Sequence, residues 1–217
     1  MKNKLRSSIK LLWNNTTIEL LPSRSILIKE TGELLISDIH LGKGEYYQAN
    51  GIPLTNYQDL FNFKRIINLV ENTKPKKLII LGDLFHSKLA ISEELEYKVG
   101  SLSEKLKINI ELIEGNHDKG CKINNISRYK TRTSLNLIYT HEPINPKDAN
   151  LLNICGHYHP KIYIKNMNTK VSFKCFALDK KKNNLYLPAF GDLTGGHLCK
   201  NEFKKWAIIS ERSILEI

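Results

Sequence analysis

No stretch of this 217-residue chain is apolar for long enough to cross a bilayer. The basic first fifteen residues carry only Leu11-Leu12-Trp13 as an apolar run, too short for the core of a signal peptide. Both absences imply a cytoplasmic protein. Cysteine is scarce, and Cys121, Cys155, Cys175 and Cys199 show no CxxC spacing. That excludes a zinc knuckle and a disulfide framework and implies reduced thiols. Repeats and linker-like segments are also missing, so residues 1–217 read as one domain, long enough to bury a sizeable core. Arginine is sparse: of 33 basic residues only Arg6, Arg24, Arg65, Arg128, Arg132 and Arg212 are arginine. The net charge of +11 invites a nucleic-acid reading. The richness in Lys, Asn and Ile also fits AT-rich codons, so the charge carries modest weight.

What is present is a series of apolar strands that end in metal-ligating residues. Leu78 to Leu81 is a short apolar run that stops at Gly82 and presents Asp83. Gly-Asp alone is a common turn. Here, however, Asp38-Ile39-His40 follows the strand Glu33 to Ser37, and Gly115-Asn116-His117-Asp118 follows Ile108 to Glu114. His141 follows Leu135 to Thr140, and Gly156-His157-Tyr158-His159 follows Leu151 to Cys155. Six of the seven histidines, all but His197, lie at or beside these strand ends. The carboxyl edge of strands is where open α/β sheets place their chemistry. Asp83 is therefore expected to bridge two metal ions, with the other motifs converging on it. Asp38 and His40, spaced i, i+2 in extended chain, can grip one ion.

Between these motifs, Thr55 to Asn72 reads as a helix with a Thr55/Gln58 capping box and an inward stripe of Leu60, Phe63, Ile67 and Val70. Ser92 to Lys107 reads as a second helix, with Leu95, Val99, Leu102 and Leu106 inward. Leu41-Gly42-Lys43-Gly44 reads equally well as a loop touching a substrate phosphate and as a flexible turn. It lacks the ending and spacing of a P-loop. His86, three residues past Asp83, lines the cleft as a catalytic aid or as a simple hydrogen-bonding group. Lys119 to Thr133, with Arg128, Tyr129, Lys130 and Arg132, reads as a solvated connection rather than a substrate loop, by a small margin. The early β/α alternation and the β-rich carboxyl half predict an α/β (α+β) fold. Its form would be a four-layer αββα sandwich of two mixed sheets flanked by helices.

The motifs from Leu34 to His159 resemble the calcineurin-like metallophosphoesterase superfamily, with every metal motif present and in order. The resemblance implies the metallophosphoesterase fold. It implies one metal on Asp38, His40, Asp83 and His159, and a second on Asp83, Asn116, His141 and His157. Asp38-Ile39-His40-Leu41-Gly42-Lys43, Gly82-Asp83-Leu84-Phe85-His86 and Gly156-His157-Tyr158-His159-Pro160 are similar to the bacterial ligase-associated DNA-damage-response endonuclease branch. So are Leu187-Pro188-Ala189-Phe190-Gly191 and Thr194-Gly195-Gly196. Thr140 stands where the superfamily commonly has glycine, and Leu193 where the branch has phenylalanine.

The all N/O donor set suits Mn²⁺, Fe or Zn²⁺ better than a soft-metal site, and the resemblance favours Mn²⁺. A two-metal centre would activate a hydroxide for in-line attack on phosphorus. His117 is then the expected general acid, with Asp118 holding its ring and His86 as the reserve. Lys43, Asn116, Arg128 and Arg132 are the candidate substrate contacts. The leading expectation is a Mn²⁺-dependent phosphodiesterase, a DNA endonuclease or nuclease in DNA repair. The resemblance also implies a functional link to a DNA ligase and a helicase, and leaves a homodimer open. The alternatives are a small-molecule phosphoesterase or nucleotide pyrophosphatase, and a non-catalytic scaffold that the complete ligand set argues against.

Overall fold

The computed structural model describes residues 5–53, 57–121, 123–166 and 169–217. Two mixed sheets face each other. The first runs in order through Ile9–Trp13, Thr16–Leu21, Ser25–Ile28, Glu33–Ile36, Lys77–Leu81, Asn109–Ile113 and Ser127–Tyr129. Its first four strands pair antiparallel and its last four parallel. The second sheet runs through Leu5–Arg6, Ser213–Glu216, Lys204–Ser210, Thr169–Asp179, Asn184–Tyr186, Leu152–Cys155, Leu137–Thr140 and Arg132–Ser134. Asn184–Tyr186, Leu152–Cys155 and Leu137–Thr140 are mutually parallel.

The parallel strands are apolar without a break because both faces are buried. Leu78, Ile80, Ile110 and Leu112 pack under the helices. Ile79, Leu81 and Ile113 face the second sheet, where they meet Leu137, Tyr139, Ile154, Leu185 and Trp206. Successive side chains alternate between these two cores, as strand periodicity requires.

The long helix is described over Tyr57–Thr73, and the expected cap at Thr55 lies outside the described residues. Its inward face is rotated from the expected one. Asn62, Ile66, Leu69 and Val70 are buried, Phe63 and Ile67 are half-buried, and Leu60 is exposed. Asp59 sets this phase, because its buried carboxylate accepts the Gly42 amide at 2.7 Å. The second expected helix is split at Ser101 into Glu93–Gly100 and Leu102–Leu106. Ser92 caps it by accepting the Leu95 amide at 3.2 Å, and Leu95, Val99 and Leu102 are buried as anticipated.

A further helix, Lys43–Ala49, stands where the glycine-flanked segment reads as a turn. Lys119 to Thr133 contains the strands Ser127–Tyr129 and Arg132–Ser134 rather than a plain connection. The described helices all lie between Lys43 and Leu106. Those of Tyr57–Thr73, Glu93–Gly100 and Leu102–Leu106 cover the first sheet. On the second sheet's outer face, Cys175, Ala177 and Ala207 are covered by Ile162, Tyr186, Cys199 and Phe203, from strands and loops instead of helices. The Pro160–Asn166 and His197–Leu198 strands supply that layer, pairing beside Thr169–Asp179.

Candidate metal centre

Five parallel strands, three from one sheet and two from the other, deliver their carboxyl ends to one place. After Ile36 and Leu81 the chain does not splay apart. Asp38 N–H donates to the Gly82 carbonyl, His40 to Asp83, Leu41 to Leu84 and His86 to Leu41, at 2.8–3.0 Å. These bonds extend the parallel ladder beyond the regular strands while forcing unusual backbone. Asp38, His40, Asp83, His157 and His159 all have φ between 46° and 61°, a left-handed region that side chains with a Cβ rarely adopt. Gly82 precedes Asp83 at φ 78°, and a Cβ there would collide with the His141 ring. A Cβ at Gly115 would likewise strike the Asp83 carboxylate.

The side chains form two adjoining groups. Asp38, His40 and His159 bring one donor atom each within 4.8 Å of one another, as do Asp83, His141 and His157. The Asp83 carboxylate sits between them, with Oδ2 3.7 Å from His40 Nε2 and 3.4 Å from His141 Nε2. His159 Nε2 lies 2.8 Å from Asp38 Oδ1. His141 donates from Nδ1 to the Leu81 carbonyl at 3.0 Å, which turns Nε2 toward Asn116 Oδ1 at 3.0 Å and His157 Nδ1 at 3.1 Å. Asn116 thus joins the second group. The backbone helps too: His157 N–H donates to Asp38 and His117 N–H to Asp83.

These residues fit a divalent cation. Asp38 and Asp83 are almost wholly buried. Both ring nitrogens of His40 are buried without a hydrogen-bond partner. Unpaired buried polar atoms are costly, and ligation would satisfy them. Burial drives His40 down to about 3, against the pull of Asp83 and Asp38, so its ring is neutral and able to ligate at neutral pH. Burial also opposes the charge on His141, but hydrogen bonding and attraction from Asp83 overcome it and hold the ring up at about 9. Burial pushes Asp83 up, and the same His141 contact outweighs it and leaves the carboxyl below its ordinary range.

The other expected site residues divide. His86 and His117 reach the centre: with His40 they form a third group of ring nitrogens within 4.8 Å. His117 Nε2 lies 3.9 Å from Asp83 Oδ2. Burial lowers His86 to about 4, with Lys43 and His117 adding repulsion. Lys43 stands at the rim, its ammonium donating to the Leu193 carbonyl at 2.9 Å.

Asp118 does not hold the His117 ring. Its buried carboxylate accepts the Gly115 amide at 2.9 Å and the Phe85 amide at 3.2 Å, while His117 Nδ1 bonds the His86 carbonyl at 2.6 Å. Two backbone N–H groups with no strand partner outcompete a neighbouring imidazole for that carboxylate. Arg128 is not a free substrate contact either, because it donates to the carbonyls of Cys121 and Asp118 and pairs with Glu114 at 2.6 Å. Arg132 is committed to Glu33 at 2.6 Å and Glu111 at 3.2 Å, carboxylates on two interior strands of the first sheet.

One constellation is not visible in the sequence. The loop through Phe190 and Asp192 donates Phe190 N–H to Ser37 and Gly191 N–H to Asp38, and so buttresses the Asp38 turn. Arg24 and Arg65 each donate to the Phe190 carbonyl and pair with Asp192. Lys174 donates to the carbonyls of Ala189 and Gly191. Burial lowers Lys174 to about 7, with repulsion from Arg24 added. Scattered single cations leave no local signal. The only hint is the Leu187-Pro188-Ala189-Phe190-Gly191 motif they hold.

Comparisons with known proteins bear on the family and the fold. The calcineurin-like phosphoesterase family matches residues 34–187, more than half of the chain. The crystal structure of Pseudomonas putida nuclease MPE superposes with a TM-score of 0.78 at 24% identity, covering 97% of this chain and 100% of that one. Yfce, a phosphoesterase from E. coli, gives a TM-score of 0.46 at 14% identity, covering 85% and 97%. No curated protein matches.

Proposed function

The chain belongs to the calcineurin-like phosphoesterase family and is a metal-dependent phosphoesterase, and from that premise we propose that it is a two-metal phosphodiesterase acting on DNA. The observation that carries the reading is the pair of adjoining donor groups with Asp83 between them. A two-metal site would need a carboxylate shared between its cations, and Asp83 lies where it could serve both. Asp38, His40, Asp83 and His159 would hold one, and Asp83, Asn116, His141 and His157 the other. When bound, the cations supply a low-pKa water and offset charge on the phosphoryl oxygens. Mn²⁺ is the occupant favoured by the motif likeness, and a donor set of nitrogen and oxygen only suits Mn²⁺, Fe or Zn²⁺ better than a soft metal.

The protein's own residues do the rest. The His141–Leu81 and His117–His86 hydrogen bonds fix ring orientation before substrate arrives. His117 Nε2 faces the carboxylate cluster and is placed to protonate a leaving oxygen. Lys43 at the rim supplies an ammonium for a non-bridging phosphate oxygen. Asn116, exposed and beside His141, can contact ligand and phosphate together. A nucleic-acid substrate is supported by the net charge of +11 and is in keeping with a fold shared with a nuclease. A role in DNA repair, with a ligase and a helicase as functional partners, rests on the motif likeness described above.

The test offers the purified protein with Mn²⁺ four substrates: single-stranded DNA, duplex DNA, a nucleoside diphosphate ester and a chromogenic phosphodiester. Cleavage of DNA, abolished by chelator, is expected. Hydrolysis of the small ester far outpacing DNA would replace the nuclease reading with that of a small-molecule phosphoesterase.

A further inference from the structure

Beside the metal centre lies a cavity of about 350 Å³ lined by Tyr46, His86, Ser87, Lys88, Asn116 and His117. Its aromatic walls are ordered with respect to one another. The Tyr46 ring meets His86 edge-on at 4.9 Å, and His86 lies nearly parallel to His117 at 5.6 Å and 18°. His40, a member of the first donor group, is 5.5 Å from His86 and 5.1 Å from His117. The cavity is therefore one ring away from the first donor group. Tyr46, His86 and His117 are half-buried, Asn116 and Lys88 are exposed, and His86 Nδ1 has no partner. His86 is stacked between Tyr47, at 6.2 Å and 20°, and His117, so the half-buried Tyr46 ring is the aromatic surface left to line the open volume.

Resting on the nuclease reading, we propose that this cavity is a nucleobase subsite. It takes the base of the nucleotide next to the scissile phosphate in an unpaired strand. Tyr46 supplies aromatic surface, and Asn116 and Ser87 supply donors and acceptors for the base edge. Lys88 meets the next phosphate. A bare phosphate would use none of the rings. A base within a duplex has both faces covered by its neighbours and cannot enter without leaving the stack. Stacking is tolerant of base identity, so the subsite selects unpaired strands rather than a sequence.

The test compares single-stranded oligonucleotides carrying either a base or an abasic sugar beside the cut position. For the wild type, removing the base raises KM by about 5- to 150-fold, the equivalent of one stacking contact. Tyr46→Ala suffers a similar loss on the intact strand and no further loss on the abasic one, while Tyr46→Phe retains most of the affinity. Thermal melting and metal content report whether Tyr46→Ala is folded, and the base-against-abasic comparison in the wild type decides alone if it is not. Equal losses on intact and abasic strands would overturn the subsite, as would cleavage of blunt duplex as fast as single strands. Failure to cut any nucleic acid while a chromogenic phosphodiester is hydrolysed overturns the nuclease reading and the subsite with it.

Discussion

Asp118→Asn separates two accounts of the Gly115-Asn116-His117-Asp118 turn. If Asp118 tuned His117, the change would alter proton transfer and leave stability nearly intact. In the structure Asp118 is a tie instead. Its buried carboxylate receives the amides of Gly115 and Phe85 and so joins the turn carrying Asn116 to the turn carrying Asp83. Asparagine keeps one acceptor oxygen and turns an NH₂ toward the other amide. A hydrogen bond to a charged group is lost, worth about 1.5–3 kcal/mol, and a buried N–H is stranded at a cost of about 1–3 kcal/mol. Some of this returns, because burial raises the Asp118 carboxyl and asparagine escapes that penalty. A net loss of about 2–4 kcal/mol is expected, seen as a urea midpoint lowered by roughly 1 M. Turnover should fall equally for good and poor leaving groups, since the turn itself moves. An unchanged midpoint, with a rate defect that grows as the leaving group worsens, would refute this and return Asp118 to His117.

Asp83→Asn should abolish turnover and reduce bound divalent metal, expected at about two ions per wild-type chain from the two-metal arrangement. Metal analysis showing full occupancy in the variant would deny Asp83 its bridging place. His117→Ala should retain metal yet lose roughly 10²–10⁴-fold in turnover on poor leaving groups, with a smaller loss on nitrophenolate. His141→Ala should lose metal and rate together whatever the leaving group, and like behaviour in both variants would make His117 a ligand. Asp59→Asn tests a pH effect: burial holds Asp59 up at about 6, with Glu45 adding repulsion, despite the Gly42 hydrogen bond. The folded state then keeps a proton that the unfolded state releases near pH 4, so stability falls as pH rises from about 4 to about 6. The full penalty is about 3 kcal/mol above that window. Urea midpoints at pH 4.5 and 7 should show a shallower slope in Asp59→Asn, and an unchanged slope would show that other groups carry it.

The parts of the fold legible in the sequence are those whose local pattern and tertiary role coincide. Leu78 to Leu81 and Ile110 to Ile113 are buried on both faces, so unbroken apolar runs identify them without any partner in view. The helix Tyr57–Thr73 is legible as a helix but not in its phase, because its inward face begins with Asp59 and Asn62. Hydropathy reads those as outward, and only the Gly42 amide, seventeen residues earlier, explains the buried carboxylate. The segment around Lys43 misleads for a related reason. Two glycines in four residues argue for a turn, yet Gly42 at φ 76° serves as the entry to a helix that packs beside His86.

The metal-centre residues are readable because a carboxylate or imidazole just past an apolar run keeps its meaning wherever the chain goes next. The strand end fixes its position. Arg128, Arg132 and Asp118 have no such anchor. Their charges are equally suited to substrate and to scaffold, and only the placement of Glu114, Glu33 and two orphan amides decides between the uses. The backbone strain falls on only part of the ligand set. The left-handed φ values at Asp38, His40, Asp83, His157 and His159 fall on candidate ligands, whereas Asn116, His117 and His141 have none. Such conformations cost of order 1–3 kcal/mol each and persist where surrounding bonds over-determine them. Here those bonds come from the ladder that continues past the strands and from the loop held by Arg24, Arg65 and Lys174. The cations missing from the motif are thus part of what keeps the motif in shape. Weakening the Asp192 loop should reach Asp38 through the Gly191 amide before it reaches any other donor.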